Sequence, residues 1–192
     1  MKSKKQRVLE TIELHKKALA DLEANCLEAI ACAAKLLIDC IAGGGCVYIC
    51  GNGGSAADAQ HIAAELVGRF IRERKGLPAV ALTTDTSILT SVGNDYGFEQ
   101  IFSRQVEALL KEKDILWAFS TSGTSKNILA AAKLAKEKGG SVLGFTGKKD
   151  SPLEQMSDVC ICVEGPTATV QEIHQVTYHI LCDLVEESSV KQ

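Results

Sequence analysis

The chain of 192 residues lacks the marks of several protein classes. No apolar run approaches the ~18 residues that a membrane span requires, so no membrane partner is expected. The opening residues MKSKKQRVLE hold neither an apolar h-region nor a small-residue cleavage site, which points to the cytoplasm. Positive charge is not in excess: 21 Lys and Arg against 24 Asp and Glu leave a formal net charge of −3. A nucleic-acid-binding face would normally be basic, so nucleic acid is not expected as a partner. No CxxC pair occurs among Cys26, Cys32, Cys40, Cys46, Cys50, Cys160, Cys162 and Cys182. Most of them sit among apolar residues, where a reduced cysteine acts as a small hydrophobe rather than a metal or redox centre. GxGxxG is absent and no Lys follows the glycines of a Walker loop, which excludes both nucleotide fingerprints. There is no internal repeat, low-complexity segment or linker. Residues 1–192 therefore read as one domain, large enough to bury a core without disulfides.

What is present is a change of period along the chain. In residues 3–42, Leu9, Ile12, Leu19 and Leu22 and then Leu27, Ile30, Leu37 and Ile41 recur at helical spacing, and Gly43-Gly44-Gly45 ends the run. From residue 43 onward, CVYIC (46–50), AVALT (79–83), DILWAFS (114–120), SVLGFT (141–146) and VCICV (159–163) are short and apolar, as strands buried on both faces should be. Helical stretches separate them. This alternation predicts an α/β fold, a three-layer αβα sandwich of about five parallel strands. The helices of 1–42 exceed what a small sheet needs for cover, which predicts that some of their apolar surface meets another subunit.

Ligands of open parallel sheets bind where strands lead into helices. In CGNGGSAADAQHIAAEL (50–66), Gly51, Gly53 and Gly54 let backbone approach a ligand, and the helix beginning at Ser55 presents free N–H groups. A glycine turn with a serine N-cap is the plainer reading of the same residues. In STSGTSKN (120–127), the hydroxyls of Ser120, Thr121, Ser122 and Ser125 crowd a helix N-terminus suited to phosphate oxygens. His61 and Glu65, four apart on one helix face, can share a metal ion or a proton relay. In TVQEIHQVTYHILCDLVEE (169–187), Gln171, Gln175 and His179 form a polar stripe, with Ile173, Val176, Ile180 and Leu184 as the apolar one. His179 is predicted partly buried, either a satisfied core histidine or a functional one, and His174 at the surface. GRFIRERKG (68–76) reads as a solvated helix end and loop, with Arg69 its member nearest a ligand.

These pieces, in this order, resemble the sugar isomerase (SIS) domain family and, within it, the phosphoheptose isomerases. The likeness runs over nearly the whole chain and includes SVGNDYGFEQIFSRQVEAL (91–109) and QEIH with a second His eight residues after the Gln. It implies conversion of sedoheptulose 7-phosphate to D-glycero-D-manno-heptose 7-phosphate through an enediol, toward lipopolysaccharide heptoses. It also implies sugar contacts from Asn52, Gly53, Gly54, Ser55, Glu65, Asn94, Asp95 and Gln171, and phosphate contacts from Ser120, Thr121, Ser122 and Ser125. By the same likeness Glu65 is the base and His179 the acid, and zinc is held by His61, Glu65, Gln171 and His179 in a homotetramer with interfacial sites. The resemblance departs at Thr169, where members usually carry Arg two residues before the Gln, so segment 164–171 is expected to handle sugar hydroxyls differently. Two other readings remain: a non-catalytic SIS regulator of replication-initiator assembly, and an isomerase of another phosphosugar.

Overall fold

The structure, a computed structural model, describes residues 2–190. Helix α1 (Lys4–Asn25) opens on Ser3, whose hydroxyl accepts the Gln6 N–H, and passes through Cys26 into α2 (Leu27–Ala42). The chain then alternates: β1 (Val47–Cys50), α3 (Gly54–Val67), β2 (Ala79–Ala81), α4 (Thr86–Asp95), a 3-10 turn (Phe98–Gln100) and α5 (Ser103–Leu109). It continues through β3 (Ile115–Ser120), α6 (Lys126–Glu137), β4 (Ser141–Thr146), α7 (Pro152–Met156), β5 (Val159–Cys162) and α8 (Thr167–Val190). The five strands form one parallel sheet in the order β2-β1-β3-β4-β5.

Alternation along each strand divides the core into two layers. Val47, Ile49, Ile115, Trp117, Phe119, Leu143 and Phe145 pack against α1, α2, α3 and α8. Leu116, Ala118 and Val142 face the opposite way, toward α5, α6 and Leu153 of α7. The expected three-layer α/β sandwich is what forms. Every residue of β3 is buried, as a central parallel strand requires. The two edge strands differ from the expectation of two covered faces: Val80 of β2 is exposed and most of β5 is only partly buried, because an edge has a neighbour on one side alone.

The first and last helices meet. His15 of α1 pairs with Glu172 of α8. Along α1 only Ala18 and Leu22 are buried, so of the predicted periodic set Leu9, Ile12 and Leu19 do not enter the core; they remain exposed with Val8 and Leu14. The helix keeps its period but directs that stripe away from the sheet.

Helix α8 turns a different face inward from the one its pattern suggests. Val170, Ile173, Thr177, Tyr178, Leu181, Cys182 and Val185 are buried, whereas Val176 and Ile180 are exposed. The predicted surface position of His174 is wrong: it is 0% exposed, edge-on to Phe119 and Phe145, with Nε2 3.3 Å from the Thr146 carbonyl oxygen. A ring that offers flat apolar surface and one N–H fits such a slot, and burial pushes its pKa down to about 4. The basic stretch 68–76 is likewise not a plain solvated loop. Glu186, 0% exposed, accepts the backbone N–H groups of Phe70, Ile71 and Arg72 at 2.8, 2.8 and 2.7 Å, and Arg74 Nε lies 3.4 Å from it. A buried carboxylate gathers N–H donors because nothing else replaces its lost water, and the loop is drawn onto α8. Arg69 stays on the outside, 3.8 Å from Glu73.

Candidate active site

Strands β1 and β3 are adjacent and parallel, so the loops leaving their carboxyl ends are neighbours. After β1, Gly53 takes φ +57° and serves as the N-cap of α3. Ser55 therefore sits inside the first turn, buried, rather than at the cap where the sequence placed it. A side chain at Gly54 would collide with Gln171, whose Nε2 lies 2.1 Å from where a Cβ would stand. Only glycine lets α8 close over this loop, and the closure brings Gln171 onto the glycine loop, at the start of the helix that carries Asp58.

After β3, the hydroxyls gather. Ser120 Oγ lies 3.0 Å from Ser125 Oγ and 3.4 Å from Ser122 Oγ, and Thr124 donates to Ser122 Oγ through its hydroxyl at 3.0 Å. Ser125 is the N-cap of α6. The Thr121 carbonyl accepts the Gly147 N–H at 3.0 Å, which ties the loop to the end of β4. Four hydroxyl oxygens and the start of a 12-residue helix form a cradle that can receive an anion. Thr124, which the sequence reading left out, belongs to it; its place within STSGTS was the available signal.

The third component lies on α3 and α8. His61 Nε2 is 3.0 Å from Glu65 Oε1, and His179 Nε2 is 3.4 Å from His61 Nε2. The three groups are partly buried, with ligand atoms all within 4.8 Å of one another. Two ring nitrogens and a carboxylate facing one point form a set that can hold a metal ion: zinc ligands at ~2.0–2.2 Å stand ~3.3–3.6 Å apart in a tetrahedron. His61 is oriented from behind, with Nδ1 3.0 Å from the Tyr178 hydroxyl, itself 3.4 Å from Asp58 Oδ1. Such an outer partner selects the tautomer that leaves Nε2 unprotonated toward the cluster. Burial raises the Asp58 pKa, and Tyr178, His61 and Gln171 oppose that rise. Burial also lowers the pKa of His179, His61 adds to that, and Glu65 opposes it. Phe70, delivered by the loop on Glu186, stacks on the His179 ring at 5.4 Å and 28°.

The structure thus brings together Asn52, Gly53, Gly54, Ser55 and Gln171 at one loop, Ser120, Ser122 and Ser125 at the next, and His61, Glu65 and His179 beside the first. Asn94 and Asp95 make no hydrogen bond to these groups: both are exposed at the end of α4, where the Asn94 amide donates to Asp95 at 2.8 Å. Asp58, Tyr178, Phe70 and Asn127 were missed. Asp58 was legible, because it shares a helical face with His61 and Glu65 at i, i+3 and i+7. The others have no local signal.

A parallel α/β sandwich with clustered hydroxyls and a helix start at one strand end and a His/Glu/His group beside the next is the class of protein suited to hold a phosphorylated ligand and to move its protons. The SIS domain model matches residues 12–147. A phosphoheptose isomerase of Geotalea uraniireducens is 50% identical over 177 residues, covering 92% of this chain and 94% of that relative. Among solved structures, a phosphoheptose isomerase from Neisseria gonorrhoeae superposes with a TM-score of 0.91 at 41% identity, over 96% of this chain and 100% of the other. One from Francisella tularensis gives 0.93 at 38% identity, over 97% and 100%. The chain belongs to the SIS domain family and, within it, to the phosphoheptose isomerases.

Proposed function

We infer that this chain is an aldose–ketose isomerase that converts sedoheptulose 7-phosphate to D-glycero-D-manno-heptose 7-phosphate, a precursor step for lipopolysaccharide heptoses. The observation that carries the reading is the meeting of Glu65, His61 and His179 beside a glycine loop whose neighbour is a cluster of serine hydroxyls. A scaffold has no need of that cluster, which favours the enzyme over the regulatory alternative.

The reaction shifts a proton between C1 and C2 and exchanges protons on O1 and O2. Ser120, Thr121, Ser122, Thr124 and Ser125 hold the phosphate. Asn52, the glycine-loop backbone and Gln171 orient the sugar chain. Glu65, whose Oε1 lies 3.0 Å from His61, removes the carbon-bound proton. His179, its pKa lowered by burial, supplies and recovers a proton at the sugar oxygens. Zinc held by His61, Glu65 and His179, with Gln171 as the fourth candidate, would supply Lewis-acid polarisation of the substrate carbonyl, and Glu65 and His179 would carry protons less readily while they serve as its ligands.

Asn94 and Asp95, exposed and without a hydrogen bond to these site residues, are free to face a site brought by a second copy, and the exposed apolar stripe of α1 offers a surface for such a copy. We therefore propose a homotetramer with shared sites. The free cysteines fit a reducing cytoplasm.

The test is incubation with sedoheptulose 7-phosphate in heavy water, followed by NMR. Formation of aldoheptose 7-phosphate with deuterium at C2 is the expected result. Absence of turnover, with and without zinc, would refute this reading.

A further inference from the structure

Asn52 and Asn127 are 75 residues apart in sequence, yet their side chains form a closed pair. Asn52 Nδ2 donates to Asn127 Oδ1 at 2.9 Å, and Asn127 Nδ2 donates back to Asn52 Oδ1 at 2.8 Å. Asn127 is 3% exposed. Its Oδ1 also accepts the Ile128 N–H at 3.0 Å, so a flipped amide would set two donors against each other. The backbone therefore fixes the orientation of Asn127, and Asn127 fixes that of Asn52.

The position of this pair matters more than its strength. Asn127 stands in the first turn of α6, directly behind the hydroxyls of the anion cradle. Asn52 stands in the glycine loop, directly before the helix that carries His61 and Glu65. Two parallel hydrogen bonds resist both sliding and rotation, as a single one does not. Resting on the isomerase reading above, we propose that the Asn52–Asn127 pair is a spacer between phosphate cradle and acid–base cluster. Asn127 is then a positioning residue that sets the length of ketose phosphate the site accepts. A substrate anchored by its phosphate reaches Glu65 with C2 only when its carbon chain matches that spacing. No other side-chain hydrogen bond joins the two loops among the described residues.

The experiment compares sedoheptulose 7-phosphate with fructose 6-phosphate, in turnover and in calorimetric binding, for the native protein, Asn127→Ala and Asn127→Asp. Misplacement by about 1 Å costs on the order of 10²-fold in rate. Asn127→Ala should therefore lower kcat for the seven-carbon substrate by about 10- to 100-fold and its preference over the six-carbon one by about tenfold. Inhibition by inorganic phosphate should stay within about twofold, since the cradle itself is untouched. Asn127→Asp keeps the shape and the Ile128 contact but opposes Asn52 Oδ1, so it shifts the preference the same way and carries the test if the alanine variant fails to fold. An unchanged preference in a folded variant overturns the proposal, as does a uniform loss for both sugars and inorganic phosphate. Native protein that prefers fructose 6-phosphate would overturn the heptose assignment instead, while the spacer is still judged by whether the variants move that preference.

Discussion

Glu186→Gln perturbs the candidate site from a fully buried residue, through the loop that carries Phe70. The native carboxylate accepts three backbone N–H groups and faces Arg74, whose side chain is 3% exposed. A glutamine of the same size keeps one acceptor oxygen and sets an NH2 group against donors it cannot serve. Each hydrogen bond to a charged group contributes about 1.5–3 kcal/mol, and breaking a buried pair from one side costs about 3–5 kcal/mol. These terms overlap, so about 3–5 kcal/mol is the expected total, which for a domain of this size lowers Tm by roughly 6–20 °C. Thermal and urea unfolding of the two proteins would measure it. The pH dependence supplies a second reading. Burial would raise the Glu186 pKa, but the N–H groups and Arg74 outweigh it and hold the folded value below the ordinary one. A group with a depressed folded pKa stabilises above its unfolded pKa and loses that contribution as pH falls through the folded value. The difference between native and variant should be level near neutrality and shrink only in acid, below the usual carboxylate range. A difference under about 1 kcal/mol, or one that does not shrink in acid, would refute the reasoning.

Glu65→Gln should cut turnover by about 10²–10⁴-fold while phosphosugar affinity by calorimetry is nearly kept; full activity would remove Glu65 from the proton transfer. Ser120→Ala with Ser122→Ala should raise KM for the phosphosugar and weaken inhibition by inorganic phosphate together, and equal affinity would displace the phosphate from that loop. His61→Ala should lower zinc content after purification without chelator, measured by elemental analysis, because it removes one of three converging ligands; unchanged content would place the metal elsewhere.

The sheet was legible because its strands announce themselves twice, through apolar runs and through the glycines and polar residues that end them. SVLGFT (141–146) coincides with β4 to the residue. The glycine loop, the serine loop and the His61/Glu65 pair were legible for the same reason: each is local, and helical or turn spacing is enough to group its members. What could not be read was rotation and long-range pairing. On α8, two overlapping faces carry apolar residues, and the choice between them is made by Phe119 and Phe145, which present a slot that takes His174. The Asn52–Asn127 pair, the Phe70–His179 stack and the Glu186 anchor join residues 75, 109 and up to 116 positions apart. No spacing in the sequence encodes such contacts; they exist once crossovers have set the layers.

The closure of α8 over Gly54 has a consequence for when activity begins. A chain made from its N-terminus completes the glycine loop early and the serine loop next, yet Gln171, His179 and Glu186 arrive with the last helix. Until that helix docks, His61 has no partner ring, residues 70–72 have no carboxylate to gather them, and the glycine loop has no roof. Contacts of such long sequence separation form late, after the loop-closure entropy has been met. In refolding, helical circular dichroism should therefore recover ahead of catalysis; the part of the lag that does not depend on protein concentration is the docking of this helix, and the part that does is subunit assembly.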